Sequence, residues 1–371
     1  MTASRPAPPR RRARSGRYPS ADRPFFLLAA LYAALAVPVW VLVRLGAMPV
    51  PGDAASHGHD MVAGFVIAVV AGFLFTRLSR PALALAIALW LAGRIAPFLS
   101  LPPPVVAVVG LAFPLALFVL AGMPFLRAAR SAHNAVFAPV IAGFVVAEAA
   151  FHLVPANGAL AGLGVAALLV FAMGGRVIPA ATAGAMRAKG GLLSARVQPR
   201  VEWAGVAALG LSAALDLIGA APAVAGLAAA LGGLAALVRL ARWRTLDVLG
   251  DPALWGLHLG YLWLGAGLVA KGAAQAGVPD LPLAGTLHAL AAGGIGTVTF
   301  AMMARTALQR RHRPIVFPPW LTGCLVLVSL AAALRLAALA SGLYVPALGL
   351  AAALWSTAFL GLAAFLLTRN R

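Results

Sequence analysis

Long apolar runs, separated by short charged or proline-containing segments, follow one another along almost the whole chain. A helix of about 20 mostly apolar residues is long enough to cross the hydrocarbon core of a membrane. The pattern therefore predicts an all-α, polytopic transmembrane bundle of twelve helices. The predicted spans are residues 25–46, 58–78, 81–99, 104–124, 135–155, 157–174, 201–219, 222–240, 252–274, 282–304, 319–341 and 344–367.

The composition supports a lipid environment. Of the 371 residues, 62% are hydrophobic and 10% are charged, whereas soluble domains are about 45–50% apolar and about 25% charged. We expect a disordered basic arm over residues 1–24 and a single membrane bundle over 25–371. The long segment between the sixth and seventh spans also allows two six-helix halves, 25–174 and 201–367. Cys324 is the only cysteine, which excludes a disulfide framework.

The positive charges predict the orientation. The net charge is +20, but the cations stand in short segments between apolar runs, a pattern that does not favour nucleic-acid binding. All but four of the 29 Lys and Arg residues fall in segments that alternate to one side of the bundle, the exceptions being Arg44, Arg94, Lys271 and Arg335. Because cytoplasmic loops are enriched in Lys and Arg, both termini are predicted to be cytoplasmic.

Histidines gather at the predicted outer face. His57 and His59 open the second span, His152 lies near the end of the fifth, and His288 lies near the start of the tenth. Ionisable groups within spans are costly and usually mark function. Four such residues at one face therefore predict a histidine-lined site.

Two spacings refine this site. Glu148 and His152 are four residues apart, so they share a helix face, and the carboxylate can orient the imidazole. On the tenth span a helical stripe places His288 and Thr299 on one side, which predicts that both point into the bundle.

The chemistry of these residues leaves several ions open. Two imidazoles from facing helices suit a six-coordinate haem iron, and imidazoles with a carboxylate suit copper or zinc. Alternatively, each histidine makes only a hydrogen bond between helices. Arg94 and Arg335 can pair with haem propionates or with Glu148, or extend to the membrane interface.

A second, weaker group lies toward the predicted inner face. It consists of Arg176 in the GGRVIP segment, His258 in the ninth span and Arg305 at the end of the tenth. An anionic ligand would explain these residues, but turn formation, helix packing and membrane anchoring explain them as well.

Five ordered sequence blocks resemble the NnrS family: HGHDMVAGFVIAVVAGFLFT, LWLAGRIAP, MGGRVIPA, LWGLHLGYLWL and LHALAAGGIGTVTFAMMAR. The resemblance covers the chain from about residue 25 to the C-terminus. It implies a bacterial twelve-span inner-membrane protein that contains haem and copper and is linked to nitric oxide metabolism and stress. It also implies that the family's span histidines correspond to His57, His59, His258 and His288.

The chain departs from the family pattern at three places. Asp60 stands where the family usually has glutamate, Ala183-Gly184 replaces an Arg-Asn pair, and Arg310-Arg311-His312 replaces His-Thr-Gly. The first change is chemically mild, whereas the other two weaken the case for shared chemistry in the inner loops.

These observations lead to one hypothesis and one alternative. The hypothesis is a membrane protein that binds b-type haem, with copper as a second candidate cofactor, and that handles nitric oxide as a ligand or gives resistance to nitrosative stress. Enzymatic activity and the redox partner stay open. The alternative is a secondary transporter whose polar intramembrane residues line a substrate path. The predicted cofactor-binding residues are His57, His59, His152, His258, His288, Glu148, Arg94, Arg176 and Arg305, and the five histidines are the predicted metal ligands.

Overall fold

The chain folds as a bundle of helices. The computed structural model describes residues 21–49, 52–75, 78–127, 136–194, 197–340 and 344–368. In this part of the chain the twelve main helices are α1 Asp22–Arg44, α2 Ala54–Leu74, α3 Arg80–Ile95, α4 Pro103–Arg127, α5 Phe137–Phe151, α6 Pro155–Ala188, α7 Pro199–Ile218, α8 Pro222–Ala241, α9 Pro252–Gln275, α10 Leu283–Arg310, α11 Pro319–Ala340 and α12 Tyr344–Leu367.

Eleven of these helices are long and apolar enough to cross a membrane, and α5 is a shorter apolar helix. No strand is present among the described residues. The predicted all-α transmembrane bundle is therefore confirmed. The side that each helix end faces stays a prediction.

Most helix ends lie within six residues of the predicted ends, and the differences in α1 and α6 matter for the fold. α1 begins at Asp22, so the last residues of the predicted 1–24 arm are helical, while residues 1–20 lie outside the described part. α6 continues to Ala188, well beyond the predicted end at residue 174. At 1.5 Å per residue its 34 residues extend over about 51 Å, more than the about 30 Å of hydrocarbon.

The GGRVIP segment lies inside α6, where its two glycines are closely packed. Gly174 lies against the ring of Tyr261, and Gly175 lies against the guanidinium of Arg239. A Cβ at either position would collide with these side chains. The two glycines therefore permit close tertiary contacts. The GGRVIP segment is helical and does not form the turn that was one of the expected explanations.

Successive helices pack against each other, and α1 also packs against α12. Several contacts need glycine at the crossing. A Cβ on Gly233 of α8 would lie 2.6 Å from the carbonyl oxygen of Gly265 on α9. Such small residues allow the close packing that holds membrane helices together. Large apolar side chains such as Leu35 and Val108 are exposed on the outside, where lipid would cover them.

The contact between α1 and α12 compensates for a proline. Pro38 lies inside α1 and has no N–H to donate to the carbonyl of Ala34. The Ser356 hydroxyl donates to that carbonyl at 2.8 Å, and Trp355 Nε1 donates to the Ala33 carbonyl at 2.9 Å. Side chains from α12 thus satisfy the backbone groups that the proline exposes.

We expect Ser356→Ala to lower the free energy of unfolding by about 1 kcal/mol, the usual net contribution of one hydrogen bond. In a Pro38→Ala background the loss should be smaller, because the new alanine would donate its own backbone N–H to the Ala34 carbonyl. Thermal unfolding of the purified protein in detergent measures both effects. An equal loss in the two backgrounds would contradict this account of the contact.

Two helices are interrupted directly after their histidines. In α2, π-helix over Met61–Val66 follows His57 and His59, and in α10, π-helix over Ala289–Gly296 follows His288. Single π-helical turns inside α-helices are frequent at functional sites. Thr299 is buried, as the predicted stripe requires, but its hydroxyl donates to the Ile295 and Gly296 carbonyls of its own helix.

The helix pairs α1–α2 and α9–α10 share a sequence pattern. Asp22, Tyr32 and His59 recur 229 positions later as Asp251, Tyr261 and His288. These residues mark a likeness between α1–α2 and α9–α10. The division into two six-helix halves stays a prediction.

Candidate functional site

The two histidines of the HGH sequence point to different neighbours. Residues two apart on an α-helix are about 200° apart around its axis, because each residue turns it by about 100°. His57 accordingly lies beside His288 of α10, whereas His59 contacts Glu148 of α5. The predicted histidine site is thus divided into two clusters, which we call the His57–His288 cluster and the Glu148 cluster.

The His57–His288 cluster joins α2 and α10. The two imidazole ring centroids are 6.2 Å apart and the ring planes differ by 19°. Trp40 of α1 stacks on His57, with centroids 4.9 Å apart and planes 8° apart. This stacking limits the rotation of the His57 ring.

The hydrogen bonds of this cluster leave imidazole nitrogens available. His288 Nδ1 lies 2.6 Å from the carbonyl oxygen of Ala284. A carbonyl can only accept, so Nδ1 carries the proton and Nε2 of the neutral ring keeps its lone pair. This is the arrangement that orients metal-bound histidines. Within the described residues neither ring nitrogen of His57 forms a hydrogen bond, so both His57 and His288 have a nitrogen free to bind iron.

An arginine lies on a helix that packs against this cluster. Arg335 belongs to α11, which contacts the α10 segment that ends at His288. Its Nη1 is buried and forms no hydrogen bond in the part of the chain that the structure describes. The guanidinium lies over the ring of Tyr344, 5.7 Å from the centroid. The cluster therefore combines two imidazoles with a guanidinium that lacks an acceptor at one of its nitrogens.

The Glu148 cluster is organised around one buried carboxylate. Glu148 is 3% exposed, and its Oε2 accepts from His59 Nε2 at 2.9 Å. Its Oε1 lies 3.4 Å from His152 Nε2, but the two atoms are not aligned as a hydrogen bond. The spacing of Glu148 and His152 predicted this proximity. Phe151 stacks on His59 with centroids 3.7 Å apart.

Two further charges extend the Glu148 cluster toward α3. Asp60 Oδ1 lies 3.7 Å from His59 Nδ1 and 3.3 Å from an Arg94 nitrogen. His59 thus has a carboxylate near each of its nitrogens, and Arg94 has a carboxylate of its own. A cavity of about 10 Å³ lies beside His59 and Glu148, which is about the space that one water needs. His288 does not line it.

The predicted inner residues each have protein partners. His258 is buried, with Nε2 2.8 Å from the Thr182 hydroxyl and Nδ1 2.9 Å from the Thr245 hydroxyl. Arg305 donates to the Ala253 carbonyl at 2.9 Å. Both ring nitrogens of His258 are therefore occupied, which favours the packing explanation for this residue.

Arg176, the third predicted inner residue, is also engaged by its surroundings. Its guanidinium lies 4.4 Å from the ring centroid of Phe137 and 3.9 Å from a carboxylate oxygen of Glu202. Glu202 lies 3.5 Å from Arg239 as well, and that arginine is 1% exposed. These residues form a buried ionic group between α6, α7 and α8.

The sequence analysis missed a second buried ion pair. Lys271 Nζ lies 2.7 Å from Asp216 Oδ2 and donates to the Ser212 hydroxyl at 3.1 Å. Gln275 donates to the other Asp216 oxygen at 2.8 Å. The signal was present, because Asp216 is a lone acid within an apolar run, and acids in spans are rare and usually paired.

The donor set bears on which cofactor fits. Among the described residues no group of three or more His, Cys, Asp or Glu side chains is arranged to hold a metal ion. A haem iron needs only two axial ligands from the protein. The His57–His288 cluster contains two imidazoles that each keep a nitrogen without a hydrogen bond, a donor set compatible with this requirement.

Comparison with known proteins identifies the family. The family model described as NnrS protein matches residues 21–369, which is nearly the whole chain. No curated protein and no solved structure matches the chain. The chain belongs to the NnrS family, a family of helical membrane proteins whose function is related to nitric oxide.

Proposed function

We propose that the protein binds a b-type haem between α2 and α10, that His57 and His288 would hold its iron, and that this haem serves the handling of nitric oxide. The observation that carries the proposal is the pair of parallel imidazoles with available nitrogens. The family membership supplies the link to nitric oxide. A bacterial inner-membrane location belongs to the same proposal.

Each residue of the cluster has a role in this proposal. The Ala284 carbonyl fixes the tautomer of His288, so that Nε2 is the ligand atom. Trp40 holds the plane of His57. Ferrous haem, if bound, would supply an iron that takes nitric oxide in place of one of the two imidazoles.

The Glu148 cluster would then support the haem site without providing its axial ligands. Glu148 accepts from His59, and Asp60 lies between His59 and Arg94. An imidazole flanked by two carboxylates would have to lose a contact with one of them to bind a metal. We therefore assign His59 and His152 to positioning α2 against α5.

Copper remains the second ion associated with this family. The Glu148 cluster contains imidazole and carboxylate donors, which are ligands that copper takes. However, no three-ligand group is formed by the described residues, so His59, Glu148 and His152 would have to rearrange. The proposal therefore includes haem and leaves copper out.

Optical spectra of the detergent-purified protein test this function. We expect a Soret band in the oxidised protein, α and β bands after reduction with dithionite, and a shift of the Soret band when nitric oxide is added to the reduced protein. A colourless preparation from haem-sufficient cells would contradict the proposal and favour the transporter alternative.

A further inference from the structure

Two arginines lie among the histidines of this end of the bundle, and their surroundings differ. Arg94 has a carboxylate partner, Asp60, at 3.3 Å, although its Nε forms no hydrogen bond. Arg335 forms no ion pair within the described residues, and its buried Nη1 has no acceptor there. From the sequence, both arginines were expected either to pair with a haem propionate or Glu148, or to extend to the membrane interface. Of these two arginines, only Arg94 has a carboxylate partner among the described residues.

The surroundings of Arg335 create a need for an anion. A buried charge is normally paired, because removing it from water is costly. The contacts of the guanidinium within the described residues involve an aromatic ring and no carboxylate: it lies over the ring of Tyr344. Its helix, α11, packs against the α10 segment that ends at His288. A guanidinium without a protein carboxylate, next to a cofactor site, is suited to bind an anionic part of that cofactor.

We propose that Arg335 binds a carboxylate substituent of the porphyrin and so fixes the orientation of the haem between α2 and α10. This inference rests on the proposed function. The planar guanidinium can donate two parallel hydrogen bonds to a carboxylate, and haem is the one group in the proposal that brings free carboxylates. Tyr344, at the start of α12, lies against the guanidinium of Arg335 and limits its movement.

The assignment has consequences for affinity and for redox behaviour. Without Arg335 the carboxylate would lose a charge-assisted hydrogen bond, which is stronger than a neutral one. A positive charge near the iron also favours the ferrous state, because the ferric iron carries one more positive charge. Loss of this charge should therefore lower the equilibrium constant for reduction.

The experiment compares haemin with its dimethyl ester, in which both carboxylates are uncharged. Protein purified from haem-deficient cells is titrated with each compound, for the wild type, Arg335→Gln, Arg335→Lys and a control, Arg44→Gln. Arg44 is an exposed arginine at the end of α1, so the control removes the same charge from a position open to solvent. Elution as a single species in detergent verifies that each variant is folded.

We expect the wild type and Arg44→Gln to prefer haemin to the ester by roughly tenfold, the scale of one hydrogen bond to a charged group. Arg335→Gln should lose this preference, and Arg335→Lys, which keeps the charge but not the planar fork, should retain part of it. In Arg335→Gln, the equilibrium constant for reduction of the bound haem should fall by up to about tenfold. For one electron this lowers the reduction potential by about 59 mV.

The outcomes separate this inference from the proposed function. If Arg335→Gln keeps the wild-type preference for haemin over the ester and the wild-type reduction potential, the role of Arg335 is overturned. The proposed haem site would still stand. A wild type that binds neither compound would overturn the proposed function and this inference with it.

Discussion

Haem should be lost from the purified protein when His57 or His288 is replaced, and it should stay bound when His59 is replaced. Two imidazoles would hold the iron in the proposed site, and His57 and His288 are neighbouring, nearly parallel rings that each keep a nitrogen without a hydrogen bond. His59 instead donates to Glu148. The two histidines of the HGH sequence are thus expected to differ, although they are two residues apart.

Glutamine is the matched replacement, because it keeps a hydrogen-bond donor but is a poor haem ligand. We expect haem per chain in His57→Gln and His288→Gln to fall roughly tenfold or more, since the lost iron bond is far stronger than an interhelical hydrogen bond of about 0.6 kcal/mol. His59→Gln should keep its haem. Haem is measured against protein in preparations made in parallel.

Two other histidines serve as controls. His258 has both ring nitrogens bonded to threonine hydroxyls, and His312 lies in the loop after α10. Replacing either by alanine should leave haem content unchanged. Haem loss in His59→Gln with full retention in His57→Gln would show that the ligand assignment is wrong, even if the protein binds haem.

The second large effect concerns stability and the ion pair between α7 and α9. Lys271 and Asp216 are 3% and 4% exposed, and their charged atoms are 2.7 Å apart. Replacing one partner leaves a buried charge without compensation, which typically costs about 3–5 kcal/mol. We therefore expect Lys271→Met and Asp216→Leu each to destabilise the protein strongly.

The double variant should be much more stable than the sum of these losses implies, because replacing both partners of a buried pair by apolar residues is often close to neutral. Unfolding in mixed micelles measures all three variants. The control is the pair of Arg244 and Asp247, which is largely exposed, so that Arg244→Gln should cost at most about 1 kcal/mol. Additive losses in the double variant would contradict a coupled ion pair.

The sequence predicted the helices well, because lipid imposes a constraint that can be read locally. A span must be apolar over about 20 residues, whatever its neighbours are. The proximity of Glu148 and His152 was also local, since residues four apart on a helix share a face. These features depend on the helix alone and not on how the helices pack.

The grouping of the site residues depended on packing and was not predicted. Which neighbour His57 or His59 meets follows from the rotation of α2 in the bundle. The threonine partners of His258 come from α6 and from the segment before α9, and Gly174 and Gly175 lie against side chains of α9 and α8. No local spacing encodes such contacts.

A density map of the haem-reconstituted protein in lipid nanodiscs tests the central claim most directly. We expect planar density between α2 and α10, with His57 and His288 on opposite sides of that plane. Haem density at the Glu148 cluster, or beside His258, would contradict it.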